Sequence, residues 1–136
     1  MRWADDEGWR AYMPIAETMV PQVIGAPLSM ADLRQKMLQI LHDQGEGRYS
    51  MDEVQHLGMQ DIASVAVLMG DKPYLLGDEP SSYDAVAYSF LVSILVNPVD
   101  TELKQFTLSQ TNLVKYVDRF KKRYFANWTA PSKLEL

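Results

Sequence analysis

Residues 85–96 read Ala-Val-Ala-Tyr-Ser-Phe-Leu-Val-Ser-Ile-Leu-Val, apolar at nearly every position. A helix that is apolar all round has no solvent face and must be covered by other elements. The run is too short to span a bilayer. It therefore reads as the central helix of a bundle, from about Ser82 to Val96, buried on all sides and surrounded by enough helices to make four to six in total. Asn97-Pro98 ends it, because proline drives the preceding residue out of helical geometry.

The other helix starts are punctuated in the same way as this one. Ser29 with Asp32, Ser50 with Glu53, and Ser81 with Asp84 each have the Ser-x-x-acid spacing of a capping box. In such a box the serine oxygen accepts an orphan amide of the first turn, and the acid accepts from the cap amide. Leu28 with Leu33 and Tyr49 with Val54 have the spacing of hydrophobic staples. After Ser29, residues Leu33, Met37, Ile40 and Leu41 share one helical face, and the segment stops near Gly45 and Gly47. After Ser50, residues Val54, Leu57, Ile62, Val65, Leu68 and Met69 fall mostly on one face, and Gly70 ends the run. Leu113, Val117, Phe120 and Tyr124 carry the helical spacing of a last helix. The first segment, roughly Asp5 to Val20, holds a stripe of Trp9, Met13, Ile15 and Met19. Pro14 lies inside it, which predicts a kink or two shorter helices. Tyr74-Leu75-Leu76 is the one short strand candidate, and it sits in a linker bounded by Pro and Gly.

The chain has 136 residues, no cysteine and a formal charge of −5. That length suits a single domain with its own core. Without cysteine there is no disulfide, thiolate ligand or cysteine nucleophile, and a reducing, cytoplasmic setting is expected. The acidic balance argues against nucleic acid as a partner. The acidic start, Asp5-Asp6-Glu7, has no apolar stretch like that of a secretory signal.

Sequence evidence for a chemical site is sparse. His42 and His56 show no zinc-binding spacing, so no metal site is expected. His56 follows Asp52 and Glu53 at helical spacing, which reads as a solvated helix face. No phosphate loop, serine elbow or dinucleotide fingerprint occurs, and no catalytic residue can be assigned. Gly45-Glu46-Gly47-Arg48 reads as a helix stop followed by a helix start, with Arg48 a minor candidate for an anion. Trp3, Trp9, Tyr12 and Met13 put a large apolar payload near one end. They can pack as core or domain interface, or line a ligand pocket. The run from Arg119 to Phe125 interleaves cations with aromatics, and on a helix its cations face solvent.

Lys72-Pro73-Tyr74-Leu75-Leu76-Gly77-Asp78-Glu79-Pro80-Ser81-Ser82-Tyr83-Asp84-Ala85 resembles the signature of glutathione transferase C-terminal domains. In that signature an apolar pair, a glycine and a polar turn lead into Ser/Thr-x-x-Asp and the buried central helix. Ser81 and Asp84 match its structural capping box, and Gly77 its turn. His42-Asp43-Gln44-Gly45-Glu46-Gly47-Arg48-Tyr49-Ser50, with Glu53, Asp61-Ile62 and Gly70-Asp71-Lys72-Pro73-Tyr74, is similar to the failed-axon-connections and metaxin-like branch. So are Asn112-Leu113-Val114-Lys115-Tyr116-Val117 and Arg123-Tyr124-Phe125. The resemblance covers most of residues 29–128. It implies an all-α fold over residues 1–136, a helical bundle that normally follows a thioredoxin-like domain. Glutathione and the side chain that activates it would belong to that domain, and no cofactor is expected on this chain. The resemblance further implies a role for the helical half as the wall of a hydrophobic substrate pocket and part of a homodimer surface, with Trp9, Tyr12, Met13 and Arg48 as pocket or domain-interface candidates. The metaxin-like members imply an alternative, a non-catalytic interaction module.

Overall fold

A computed structural model describes residues 3–24, 29–97 and 99–126; of residues 18–24 only the backbone is described. Six α-helices follow one another: α1 (Asp6–Ile24), α2 (Met30–Gln44), α3 (Met51–Met69), α4 (Ser82–Leu95), α5 (Glu102–Ser109) and α6 (Thr111–Tyr124), with a 3-10 turn at Glu46–Arg48 between α2 and α3. The described residues contain no strand. Tyr74 and Gly77 form a single antiparallel bridge, with backbone hydrogen bonds of 3.0 and 3.2 Å closing a tight turn. The one strand candidate, Tyr74-Leu75-Leu76, is therefore a turn. The fold is all-α, as the periodicity predicts.

The chain divides into two compact units, Met1–Val54 and Gln55–Leu136. In the first, α1 packs against α2. Trp9 and Ala16 of α1 are buried, as is Leu33 of α2. The expected break at Pro14 does not divide the helix, since α1 is one assigned element through that residue. A proline removes a single ladder donor, and the bonds on either side, together with the buried Trp9 and Ala16, carry the helix across. Ser29 caps α2 by accepting from the Asp32 amide at 3.1 Å. Leu28, its staple residue, lies outside the described residues. Gly45 ends α2 in the left-handed region at φ 99°, the conformation that favours glycine. Arg48 Nε donates to the His42 carbonyl at 3.1 Å.

The second capping box is complete. The Ser50 amide donates to Glu53 Oε2 at 2.8 Å, and the Glu53 amide donates to Ser50 Oγ at 3.3 Å. Those hydrogen bonds, first from the Ser50 amide and then from its hydroxyl, lower the Glu53 pKa. Tyr49 is exposed, so the staple predicted there adds little burial. In α3 the buried line is Ile62, Ala66 and Met69, while Leu57 and Leu68, predicted on the core face, are exposed.

The core of the second unit collects Ile62, Ala66 and Met69 of α3, Tyr74 and Leu75 of the linker, Tyr88 and Leu91 of α4, and Leu113, Tyr116, Val117 and Phe120 of α6. Tyr88 stacks on Phe120 with centroids 4.6 Å apart. Asn112 Nδ2 donates to the Ala66 and Gly70 carbonyls at 2.9 and 3.1 Å, satisfying carbonyls at the end of α3. Helix α5 went unread in the sequence. Its cap is Thr101, which accepts from the Lys104 amide at 3.2 Å, and the position three residues after that threonine holds lysine instead of an acid.

Helix α4 takes the central place, packed by α5 and α6, with Asp84, Tyr88 and Leu91 buried. Its other face is not covered by the helices of the second unit. Tyr83 is 66% exposed, Val86 56% and Phe90 68%. These residues recur at three- and four-residue spacing, so they form one open stripe along the helix. Composition showed how much apolar surface α4 carries. It could not show which neighbours are close enough to cover each face.

Candidate functional site

The start of α4 is organised by one carboxylate. Asp84 has no exposed surface. Its Oδ1 accepts from the Leu75 amide at 2.9 Å, and its Oδ2 accepts from the Ser81 amide at 2.8 Å and the Ser81 hydroxyl at 2.7 Å. The Tyr116 hydroxyl donates to the Asp84 carbonyl at 2.8 Å. Burial by itself raises a carboxyl pKa, but the donors from Leu75 and Ser81 outweigh it and hold the group below its ordinary value. Burial, then the neighbouring Asp84 charge, push the Tyr116 phenol well above its usual range. Ser81 and Asp84 thus do structural work: they tie the 74–77 turn, the first turn of α4 and the middle of α6 together.

An open space lies along the outer stripe of α4. A groove of about 680 Å³ is lined by Gly58, Asp61, Ile62 and Val65 of α3, Leu75 of the linker, Tyr83, Val86, Ala87, Phe90, Leu91 and Ile94 of α4, and Leu103 of α5. This volume falls within the range of small-molecule sites. The α3 residues follow helical spacing and form one wall, and the α4 stripe forms the other. Gly58 brings α3 close to α5, since a β-carbon there would lie 3.3 Å from the Leu103 methyls. Asp61 is the only charged residue of the lining, and it makes no ion pair among the described residues.

The residues singled out in the sequence lie elsewhere. Trp3, Trp9 and Tyr12 gather in the first unit, with Trp3 5.4 Å from Trp9 and 5.1 Å from Tyr12, centroid to centroid. Trp9 is buried, while Trp3, Tyr12 and Met13 are half-buried. Arg34 stands over Trp9 at 5.4 Å and donates to the Trp3 carbonyl at 3.1 Å. Arg48 is exposed, with its Nε on the end of α2. His56 is exposed and contacts Gln60 at 3.1 Å. The basic run of α6 does more than face solvent: Arg119 donates to the Pro73 carbonyl and Arg123 to the Tyr74 hydroxyl, fastening the linker to the last helix. Sequence reasoning missed the groove because its α4 wall was assigned to the core. The three- and four-residue spacing of Tyr83, Val86, Phe90 and Ile94 was the available signal.

Residues 58–120 match the family model described as glutathione S-transferase, C-terminal domain. These residues run from the α3 wall of the groove to the buried Phe120 of α6, and they include the Ser81–Asp84 box. The second unit is a glutathione transferase C-terminal-type helical domain. Isoprene-epoxide–glutathione S-transferase of Rhodococcus sp. (strain AD45) is 32% identical over 123 residues, covering 90% of this chain and 52% of the relative. Failed axon connections of Drosophila melanogaster is 29% identical over 87 residues, covering 62% of this chain and 21% of the relative. Metaxin-2 of Mus musculus is 26% identical over 85 residues, covering 62% of this chain and 32% of the relative. The chain thus spans about half the length of the transferase and less of the other two. No solved structure gives a significant match. No described helix of the domain is long and apolar enough to cross a membrane.

Proposed function

We propose that the chain is the helical half of a cytoplasmic glutathione S-transferase-like protein, and that the groove between α3 and α4 is the wall against which an apolar electrophile rests. The carrying observation is the groove itself: about 680 Å³ with one charged residue in its lining. Glutathione would be held by a thioredoxin-like domain, which also activates the thiol. Once formed, the thiolate attacks the electrophilic carbon. With an epoxide the C–O bond breaks as the C–S bond forms, and the released alkoxide takes a proton from solvent. The named activity of the Rhodococcus relative supports a small epoxide as a substrate type. The groove's contribution is to exclude water and hold the electrophile in place, which raises effective concentration without supplying a catalytic group. Trp9, Tyr12, Met13 and Arg48, none of which lines the groove, are then candidates for a domain or homodimer interface in the first unit.

The test is conjugation of glutathione to an alkyl epoxide by the protein joined to a thioredoxin-like domain. Phe90→Ala should raise the KM for the epoxide about fivefold while leaving the KM for glutathione unchanged, roughly the effect of losing 1 kcal/mol of apolar contact. Absence of conjugation above the uncatalysed rate would overturn the transferase reading. It would leave a second reading, a non-catalytic interaction module, which is favoured by the open stripe of Tyr83, Val86 and Phe90 and by the similarity to Failed axon connections and Metaxin-2.

A further inference from the structure

We infer that Leu75 and Leu103 close the two ends of the groove, so that it selects apolar electrophiles by length and takes a straight alkyl chain of up to about twelve carbons. The inference rests on the groove being the electrophile site, as proposed above, and adds the class of electrophile that fits it. The lining surface is almost wholly apolar. Contact along it is non-directional, so the position at which a ligand stops is set by shape.

Hydrogen bonds place the two leucines. The Leu75 amide donates to Asp84 at 2.9 Å, in the first turn of α4. Leu75 therefore stands at the Tyr83 end of the α4 wall. At the other end, Lys104 Nζ donates to the Asn97 carbonyl, just beyond α4, at 2.8 Å. The Leu103 amide donates to Gln55 Oε1 at 3.4 Å. These bonds seat the start of α5 between the end of α4 and the early part of α3. Leu103 fills the space over Gly58, where a β-carbon would lie 3.3 Å from its methyls. Gly58 is thus the residue that lets Leu103 come so close. Between the two ends, Tyr83 and Ile94 lie eleven residues apart on α4, roughly 16 Å along the helix. An extended alkyl chain, with bonds of about 1.5 Å, advances roughly 1.25 Å per bond, so about twelve carbons fill that length. Each methylene that lies on the walls leaves water, and one that runs past Leu75 or Leu103 does not.

The test uses the 136-residue chain, which has no cysteine for an epoxide to alkylate. The neutral fluorescent probe N-phenylnaphthylamine is displaced by the even-numbered 1,2-epoxyalkanes from epoxyhexane to epoxyhexadecane. The displacing concentration should fall by up to about fourfold per added methylene and level off near twelve carbons. Leu75→Ala and Leu103→Ala should each move that limit about two carbons longer, by opening space at one end. Leu103 is half-buried, so its variant decides the case should Leu75→Ala fail to fold. Phe90→Ala, in the side wall, should weaken every length without moving the limit. Affinity that climbs steadily to epoxyhexadecane would overturn the length selection and leave the groove reading standing. A limit that stays at one length in both leucine variants would reflect self-association of the epoxides and likewise overturn it. A limit that moves in only one of two folded leucine variants would mean a groove closed at one end, against the pairing inferred here. Failure of the probe to bind, or of every epoxide to displace it, would overturn both.

Discussion

Asp84 is a charged side chain with no exposed surface, held by two backbone amides and a hydroxyl from Leu75 and Ser81. Its removal leaves those donors buried and unpaired, beyond the loss of a helix cap. Asp84→Ala should therefore lower the unfolding free energy by roughly 2–4 kcal/mol, more than a surface cap would, as read by urea denaturation. The same residue sets a pH dependence. Its folded pKa lies below the ordinary 3.8. The stability it contributes is therefore fully present above that value and is lost as pH falls through the folded pKa. The urea midpoint should drop on acidification below about pH 4, and Asp84→Asn should flatten that part of the profile. An unchanged profile in the variant would show that other carboxylates carry the acid sensitivity.

Helix α4 shows how sharply burial alternates along one element. Leu91 is 2% exposed and its neighbour Phe90 68%. Leu91→Ala should cost about 2–5 kcal/mol, because it removes packed atoms and leaves a cavity. Phe90→Ala should change stability by less than about 1 kcal/mol, because little of that ring leaves water on folding. Equal losses at the two positions, measured by chemical denaturation, would mean that the stripe is covered in solution. Helix α1 offers the opposite case. It is one assigned element through Pro14, an exposed residue that cannot donate to the Arg10 carbonyl. Pro14→Ala should restore that bond and raise stability by roughly 1–3 kcal/mol, net of the greater freedom the unfolded chain regains, as read by the melting temperature.

At the scale of the whole molecule, an open apolar groove coexists with a formal charge of −5 at pH 7 and an isoelectric point near 4.9. Repulsion between copies keeps such a surface apart at neutral pH and fades as the isoelectric point is approached. Light scattering should therefore rise as pH falls from about 6 towards 5, the expected behaviour of an exposed apolar patch losing its charge protection. Val86→Glu should suppress that rise, since it puts a charge on the open stripe without disturbing a buried contact. If the variant scatters as strongly as the parent, association runs through another surface, with the aromatic cluster of Trp3, Trp9 and Tyr12 the next to test.

The all-α class, the serine cap at Ser29, the capping boxes at Ser50 and Ser81 and the central place of α4 were legible in the sequence, because each depends on spacing within one segment. A serine reaches an amide three residues on whatever the rest of the chain does. Helix α5 escaped because its cap uses Thr101 without an acid three residues later. The buried face of α3 was only partly legible: Leu57 and Leu68 are as apolar as Ile62, yet exposed. The roles of Arg119 and Arg123 were not legible at all, since Pro73 and Tyr74 lie 46 and 49 residues away in the chain. The groove belongs to the same class. Its walls come from α3, α4 and α5, and its open side exists because no helix of the second unit covers the Tyr83–Val86–Phe90 stripe. Local hydrogen bonding and periodicity are properties of the sequence, whereas which apolar surface is covered depends on distances between segments that only the tertiary structure sets.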